Sequence, residues 1–300
     1  MNPSPNKNLF IGFVFAMITI IIWSGNYVVA RGIAQQIPPI SIAFFRWSTA
    51  SFFIVLIGWK KFMTEKDILL QHKGYLFFTA ITGVTLFNTF IYVAGHFTEA
   101  INLVLIATTA SPLFITIFSR IFLKEKINAF RMIGMVLCLA GILVLLSKGS
   151  WEKLMQLHFG KGDLWILASA FVFSIYSILV KKRPASISPM SFLVTIFITG
   201  TLCLFPFYLI ETHFTEPLHW TSGMIITILY LGIGNSVIGF LCWNASIARI
   251  GPARTSLFSN LMPVFSTIEA VLILGEQFTS VHLISGTIVI CGLIIANLKH

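Results

Sequence analysis

Apolar segments that are long enough to cross a lipid bilayer follow one another along the whole chain. A helix needs about 20 mainly apolar residues to span the roughly 30 Å hydrocarbon core of a bilayer. Apolar residues make up 57% of the sequence and charged residues only 10%, far from the values of soluble domains. Barrel strands would alternate polar and apolar residues over about ten positions, so these continuous runs indicate helices.

We therefore predict an all-α membrane protein with ten transmembrane helices, and the lipid bilayer as its solvent. The connections between the predicted spans are short. The ten spans are predicted at Leu9–Ala30, Pro39–Trp59, Tyr75–Gly95, Ala100–Leu123, Phe130–Ser147, Asp163–Val180, Pro189–Ile210, Gly223–Trp243, Pro252–Leu274 and Val281–Asn297.

The sequence also contains an internal duplication. The stretches ASPLFITIFSRIFLKEKI and LMPVFSTIEAVLILGEQF share a skeleton that places Pro112 against Pro263, 151 residues later. Five spans per copy is an odd number, so the second copy must enter the membrane with the opposite orientation. We predict two inverted five-helix repeats, residues 1–148 and 160–300.

Basic residues lie mainly in alternate connections. Placing the amino terminus in the cytoplasm puts most lysines and arginines on the inner side, as the positive-inside rule requires. Both termini are therefore predicted to be cytoplasmic. The net charge of +10 reflects this asymmetry, and we expect no nucleic-acid partner.

The paired prolines mark a candidate binding site. Each proline removes one helix hydrogen bond, and matching helix interruptions in a duplicated membrane protein point to a transporter's solute site. Thr108 and Ser111 flank the first proline, and Asn260 precedes the second. These polar groups are able either to bind a solute or to satisfy the freed backbone.

Other candidates for a solute cavity are polar and aromatic residues deep within spans one, three, six and eight. The alternative for these residues is interhelical hydrogen bonding and packing. The candidates are Trp23, Asn26, Tyr27, Asn88, Tyr92, Tyr176 and Trp243.

Two ionisable residues lie inside predicted spans. Charges at that depth cost about 2.5 to 3.5 kcal/mol on insertion scales, so they are candidates for function. Arg46 is either a snorkelling or helix-pairing residue, or a cation that attracts an anionic or zwitterionic solute. Glu269 is either a structural group, paired with Arg46 or placed at the membrane interface, or a carboxyl that couples transport to protons.

Motifs for other chemistry are missing from the sequence. The four cysteines lie within predicted spans without metal-ligand spacing, and the histidines are scattered. There is no HExxH, GxSxG or Walker A pattern, which disfavours an intramembrane enzyme and an ATP-driven pump. We therefore expect neither enzymatic activity, nor a metal, nor a cofactor.

The chain resembles the drug/metabolite transporter superfamily, specifically the EamA-type ten-helix exporters. The resemblance covers nearly the whole chain and rests on the order of several segments, with Glu269 as a departure from the pattern. It implies a bacterial inner-membrane carrier with a central cavity lined by spans one, three, four, six, eight and nine. The segments are IIWSGNYVVARG, PISIAFFRWSTA, SPLFITIFSRIFLKEKI, GDLWILASAFVFSIYS and FLCWNASIARIGPARTSLFSNLMPVFSTIEAVLILGEQF.

The resulting expectation is a secondary transporter that exports small organic solutes, with amino acids or related metabolites first. Inverted repeats favour alternating access. A multidrug exporter, a uniporter and a channel remain alternatives, with an intramembrane enzyme as a distant one. The partners expected are the solute and, in the coupled alternative, a proton, and the protein acts as a monomer or a homodimer.

Overall fold

The computed structural model describes residues 5–33, 36–95, 97, 100–147, 149–155, 160–274 and 279–298, and within these ranges some side chains, including those of 26–33, are not described. The described residues contain helices, turns and extended connections but no strand, which confirms the predicted all-helical fold for this part of the chain.

Fifteen α-helices run through the described ranges, together with two π-helical segments and one 3₁₀ turn. The π segments are Ile81–Leu86, between α4 and α5, and Tyr230–Ile238, between α11 and α12, and the 3₁₀ turn is Phe258–Leu261, between α13 and α14. The α-helices are α1 (Pro5–Ile33), α2 (Pro39–Thr64), α3 (Lys66–Gln71), α4 (Lys73–Ala80), α5 (Phe87–Gly95), α6 (Ala100–Phe122), α7 (Ala129–Leu146), α8 (Trp151–Met155), α9 (Lys161–Lys181), α10 (Pro189–Phe214), α11 (Ser222–Leu229), α12 (Gly239–Ile250), α13 (Pro252–Leu257), α14 (Met262–Leu274) and α15 (Ser280–Asn297).

Seven helical stretches among the described residues are long and apolar enough to cross a membrane. Two shorter apolar helices, Ile106–Phe122 and Ala129–Leu145, overlap the predicted spans four and five. The predicted span nine is divided between α13, the 3₁₀ turn and α14. Ten crossings therefore stay a prediction. The seven stretches are Lys7–Gly25, Pro39–Thr64, Lys73–Gly95, Lys161–Lys181, Pro189–Phe214, Ser222–Ile250 and Ser280–Asn297.

Helices α2 and α10 form an antiparallel pair in which each helix is capped by a carboxylate from the other. Glu211, near the end of α10, accepts hydrogen bonds from the backbone N–H groups of Ile40 (2.9 Å) and Ser41 (2.6 Å) at the start of α2. Glu65, at the end of α2, accepts from the N–H of Ser188 at the start of α10. Because carboxylates stabilise helix amino termini, both ends of the pair are held together.

Helices α7 and α15 pack closely through glycines. An added Cβ at Gly292 would lie 2.8 Å from both the backbone nitrogen of Cys138 and the carbonyl oxygen of Gly134. A side chain at Gly134 would collide with the backbone of Gly292 and Ala296. The start of α7 therefore meets the end of α15, so this pair is also antiparallel, and small residues permit its close approach.

Helices α1 and α9 occupy matching places in the bundle. Helix α1 packs against α12 and α14, and α9 packs against α5 and α6. Thr19 of α1 donates to the carbonyl of Gly239 at 3.4 Å, and Ser169 of α9, 150 residues further along, donates to the carbonyl of Phe87 at 2.9 Å. The two hydroxyls therefore make similar long-range contacts to backbone carbonyls of the other sequence copy.

The π segments and the prolines distort the helices in different ways. The two π segments were not predicted, and they lie at corresponding positions of the duplicated sequence, at Gly83 and Gly234. Helix α6 continues through Pro112, whereas the 3₁₀ turn directly precedes the helix that contains Pro263. Of the two predicted interruptions, the described helices thus show only the one in the second copy. In the first copy, a long, packed helix tolerates the hydrogen bond that Pro112 removes.

Candidate functional site

A central cavity opens where helices from both sequence copies meet. It has about 710 Å³ of space between atoms, including the space at its open side. Its lining comes from α1, α2, α5, α6 and α9, from the second π segment, and from α12 to α14 with the 3₁₀ turn between them. Serine side chains lie on the α6, α9, α13 and 3₁₀ surfaces: Ser111, Ser169, Ser256 and Ser259.

Aromatic rings form one continuous part of the lining, which we call the aromatic wall: Trp23, Phe87, Phe173, Phe240 and Trp243. The ring centroids of Trp23 and Trp243 lie 5.1 Å apart, and those of Phe87 and Phe173 lie 4.3 Å apart and stacked. Such pairs stabilise one another beyond simple burial. The wall is therefore a rigid apolar surface that suits the ring or hydrocarbon part of a solute.

The indole of Trp23 is fixed to the second π segment. Its Nε1 donates a hydrogen bond of 2.9 Å to the carbonyl of Asn235. In a π segment the carbonyls bond five rather than four residues along the chain, and such distortions frequently occur at functional sites. The distortion thus supplies a backbone acceptor that holds an aromatic side chain in the cavity.

Arg46 brings a charged group into the cavity lining. Its side chain is 4% exposed, with Nε 2.7 Å from the Ser236 hydroxyl and Nη1 3.1 Å from the Tyr92 hydroxyl. The guanidinium also lies 5.4 Å from the ring centroid of Trp47. These contacts join α2 to α5 and to the second π segment, and they hold the guanidinium at the cavity.

Glu269 lies on α14 and bonds to α1. Its Oε1 accepts a hydrogen bond of 2.8 Å from the hydroxyl of Ser24, and Ser266 donates to the backbone carbonyl of Ser24 at 3.1 Å. Within the described residues, no ion pair of 4.0 Å or less joins Glu269 to Arg46. The alternative in which these two groups pair directly is thus not the arrangement seen. Glu269 instead bonds to Ser24, the residue that directly follows Trp23 in α1.

The residues singled out from the sequence fall into three groups. Trp23, Arg46, Asn88, Ser111 and Trp243 line the cavity. Tyr92 does not line the cavity itself, but its hydroxyl accepts a hydrogen bond from Arg46, which does. The others are buried away from the lining or have side chains outside the described part: Thr108, Pro112, Tyr176, Asn260 and Pro263 are buried, and Asn26 and Tyr27 are not described.

Two of the buried candidates have local bonding roles. The hydroxyl of Tyr176 donates to Asn244 Oδ1 at 2.8 Å, and its ring occupies the space that a side chain at Gly83 would take. The amide of Asn260 donates to the carbonyl of Leu257 at 2.9 Å, which helps to satisfy the backbone beside the 3₁₀ turn. The contacts of Tyr176 are of the hydrogen-bonding and packing kind, and the contact of Asn260 satisfies a backbone carbonyl.

Sequence reasoning missed several lining residues, chiefly Phe87, Phe173 and Asn235. Phe173 carried a usable signal, because it stands 150 residues after Trp23 at the equivalent repeat position. Asn235 carried none, because its place at the cavity depends on the π segment. No cluster of three metal-ligand residues was found among the described residues.

Comparison with known proteins places both halves of the chain in one family. The model of the EamA-like transporter family matches residues 10–147 and 160–298. A solved structure entitled "Crystal structure of protein" superposes with a TM-score of 0.78 over 97% of each chain at 19% identity, which is a likeness of fold.

Curated relatives of similar length carry transporter names. An "Uncharacterized transporter" of Archaeoglobus fulgidus is 25% identical and aligns over 94% of this chain and 96% of its own length. A "Probable amino-acid metabolite efflux pump" of Salmonella typhimurium is 24% identical over 95% of this chain and 93% of its own length. The Escherichia coli protein of the same name is 21% identical.

Proposed function

The chain belongs to the EamA-like transporter family, and from this premise we propose that it exports small organic solutes as a secondary transporter that works by alternating access. The observation that carries the proposal is the central cavity, which combines an aromatic wall with Arg46. A concave, mostly apolar site with a few polar groups is the usual form of a small-molecule site.

The proposed mechanism uses two inverted repeats, residues 1–148 and 160–300, with ten crossings in all. Contacts between equivalent positions support this arrangement: the hydroxyls of Ser51 and Thr201, 150 residues apart, lie 2.9 Å from each other. Cys138 donates to the carbonyl of Val289, 151 residues away. Exchanging the conformations of two such halves would move the cavity opening from one side of the membrane to the other.

The proposed solutes are amino acids or related metabolites, and the proposed direction is out of the cell. Support comes from the names of the Salmonella and Escherichia coli relatives, which describe amino-acid metabolite efflux. The proposed setting is the bacterial inner membrane, as the family resemblance implies. Both termini are proposed to be cytoplasmic on the basis of the distribution of basic residues. A multidrug exporter with the same cavity is the second candidate, because the aromatic wall would also accept apolar drugs.

Proton coupling through Glu269 is part of the proposal. The carboxyl is half-buried and accepts a hydrogen bond from Ser24. Ser24 directly follows Trp23, which lines the cavity. Gaining or losing a proton there would change the bond that ties α14 to α1. A proton entering the cell would thus be able to drive the change of conformation that releases the solute outside.

The decisive experiment is uptake of a radiolabelled amino-acid panel into liposomes that contain the purified full-length protein. We expect saturable uptake that is accelerated by unlabelled solute on the opposite side of the membrane. Such exchange requires alternating access and contradicts a simple channel. Liposomes that show no uptake above protein-free controls, for amino acids and for a parallel panel of drugs, would contradict the proposed function.

A further inference from the structure

The charge balance of the cavity is one-sided. Arg46 is the single charged residue among the described residues that line it. The two hydroxyls that accept its hydrogen bonds, those of Ser236 and Tyr92, are neutral. No carboxylate of the described residues lies within 4.0 Å of the guanidinium. A cation at membrane depth normally has an anionic partner or faces water, and the described residues supply no anionic partner.

The guanidinium also has unused hydrogen-bonding capacity. An arginine side chain has five N–H donors, and the bonds to Ser236 and Tyr92 occupy two of those on Arg46. Nη2 makes no hydrogen bond to the described residues. A guanidinium edge of this kind matches the geometry of a carboxylate, which accepts two parallel N–H bonds.

Two other lining side chains add unpaired hydrogen-bond donors. The Nδ2 of Asn88 and the Nε1 of Trp243 are buried and have no hydrogen-bond partner in the described part of the chain. Both residues line the cavity. Buried N–H groups are normally paired, so a solute that brings oxygen acceptors would satisfy groups that the protein leaves unpaired.

We infer that the cavity selects solutes by a carboxylate that Arg46 receives, with an apolar or aromatic body against the aromatic wall. The inference rests on the proposed function and names the substrate class of the same site. It also sets a limit: no acidic side chain among the described lining residues is available for an ammonium group. An aromatic carboxylate without an amino group should therefore bind about as tightly as the matching amino acid.

Three probes with one phenyl ring test this inference: phenylpyruvate, phenylalanine and phenethylamine. Their binding to the purified full-length protein is measured by isothermal titration. We expect phenylpyruvate and phenylalanine to bind within about fivefold of each other, and phenethylamine at least tenfold more weakly, as loss of one charged contact predicts. This comparison uses the wild-type protein alone, so it does not depend on any variant folding.

Variants then locate the effect. Arg46→Gln should weaken the binding of both carboxylates at least tenfold and should not weaken that of phenethylamine, because losing the guanidinium also removes its repulsion of the ammonium group. Arg46→Lys should recover part of the loss, because charge remains but the bidentate edge does not. Arg120→Gln, at an exposed arginine near the end of α6, is the matched control and should bind all three probes like the wild type.

Several outcomes would overturn the inference: binding of phenethylamine as tight as that of phenylpyruvate, binding of none of the three, or unchanged carboxylate binding by Arg46→Gln. The liposome assay separates this failure from that of the proposed function. Saturable exchange of solutes without any carboxylate preference would leave the transporter proposal standing and the inference wrong. Carboxylate binding without exchange of any solute would support the site and contradict transport.

Discussion

The carboxylate of Glu65 accepts a hydrogen bond of 2.9 Å from the backbone N–H of Ser188, so the end of α2 caps the start of α10. Its other oxygen pairs with Lys61 Nζ at 2.9 Å. Burial raises the pKa of Glu65, but hydrogen bonds from Ser188, Lys61 and Ser191 outweigh this effect and lower the pKa from 4.5 to about 2.

Glu65→Gln should therefore lower the free energy of unfolding by about 1–2 kcal/mol at pH 7, because it removes a charge-assisted helix cap. The folded pKa lies below the unfolded one, so this stabilisation is fully present above about pH 4.5 and is lost as the pH falls towards 2. The measurement is the apparent Tm of wild type and variant in detergent at pH 7 and pH 3. The difference should narrow at pH 3.

Glu216→Gln is the matched control for this cap, because Glu216 is exposed in the connection after α10. We expect the control to melt within experimental error of the wild type at both pH values. A Tm difference for Glu65→Gln that is as large at pH 3 as at pH 7 would show that the charge of Glu65 does not stabilise the fold.

Gly292→Ala should destabilise the protein by about 1–3 kcal/mol, because the new methyl group would meet the backbone of α7 at 2.8 Å. Gly74→Ala is the control, since nothing lies within 4 Å of its added Cβ, and alanine favours the helix. Thermal unfolding of both variants measures the difference. Equal Tm values for the two would contradict the close packing of α7 against α15.

Trp23→Phe keeps an aromatic ring in the cavity but removes the hydrogen bond from Trp23 Nε1 to the carbonyl of Asn235. We expect a loss of about 1 kcal/mol in stability and a severalfold lower transport rate, because the aromatic wall loses its anchor. Trp59→Phe, at a ring that is 49% exposed, should change neither property. Transport in liposomes and thermal unfolding provide the two measurements, and unchanged transport by Trp23→Phe would argue against this anchor.

Glu269→Gln tests proton coupling. If Glu269 exchanges the coupled proton, the variant should lose accumulation driven by an imposed pH gradient while retaining solute exchange at equal pH. Glu152→Gln, an exposed carboxyl in α8, should respond to the gradient like the wild type. Gradient-driven accumulation by Glu269→Gln at the wild-type level would rule out this residue as the coupling group.

The sequence alone predicted that this protein lies in a lipid bilayer and that it is all-helical. The reason is physical: hydrocarbon leaves no partner for an unpaired backbone group, so long apolar segments must become helices. The family resemblance also came from the order of sequence segments, and the family match confirms it. Trp23, Arg46 and Asn88 stand out in the sequence as polar or aromatic residues at depth, and they line the cavity. Their role in solute binding stays a prediction.

Only the tertiary structure decided what those residues contact. Arg46 bonds to Ser236 in the second π segment and to Tyr92 in α5, and it makes no ion pair with Glu269 among the described residues. Helix α6 continues through Pro112 while the matching helix in the second copy breaks before Pro263, although the sequence presents both alike. Composition and spacing are local properties of the sequence, and they determined the helices. The hydrogen-bond partners of buried polar groups are distant in the chain, and only the packing of the helices brings such partners together.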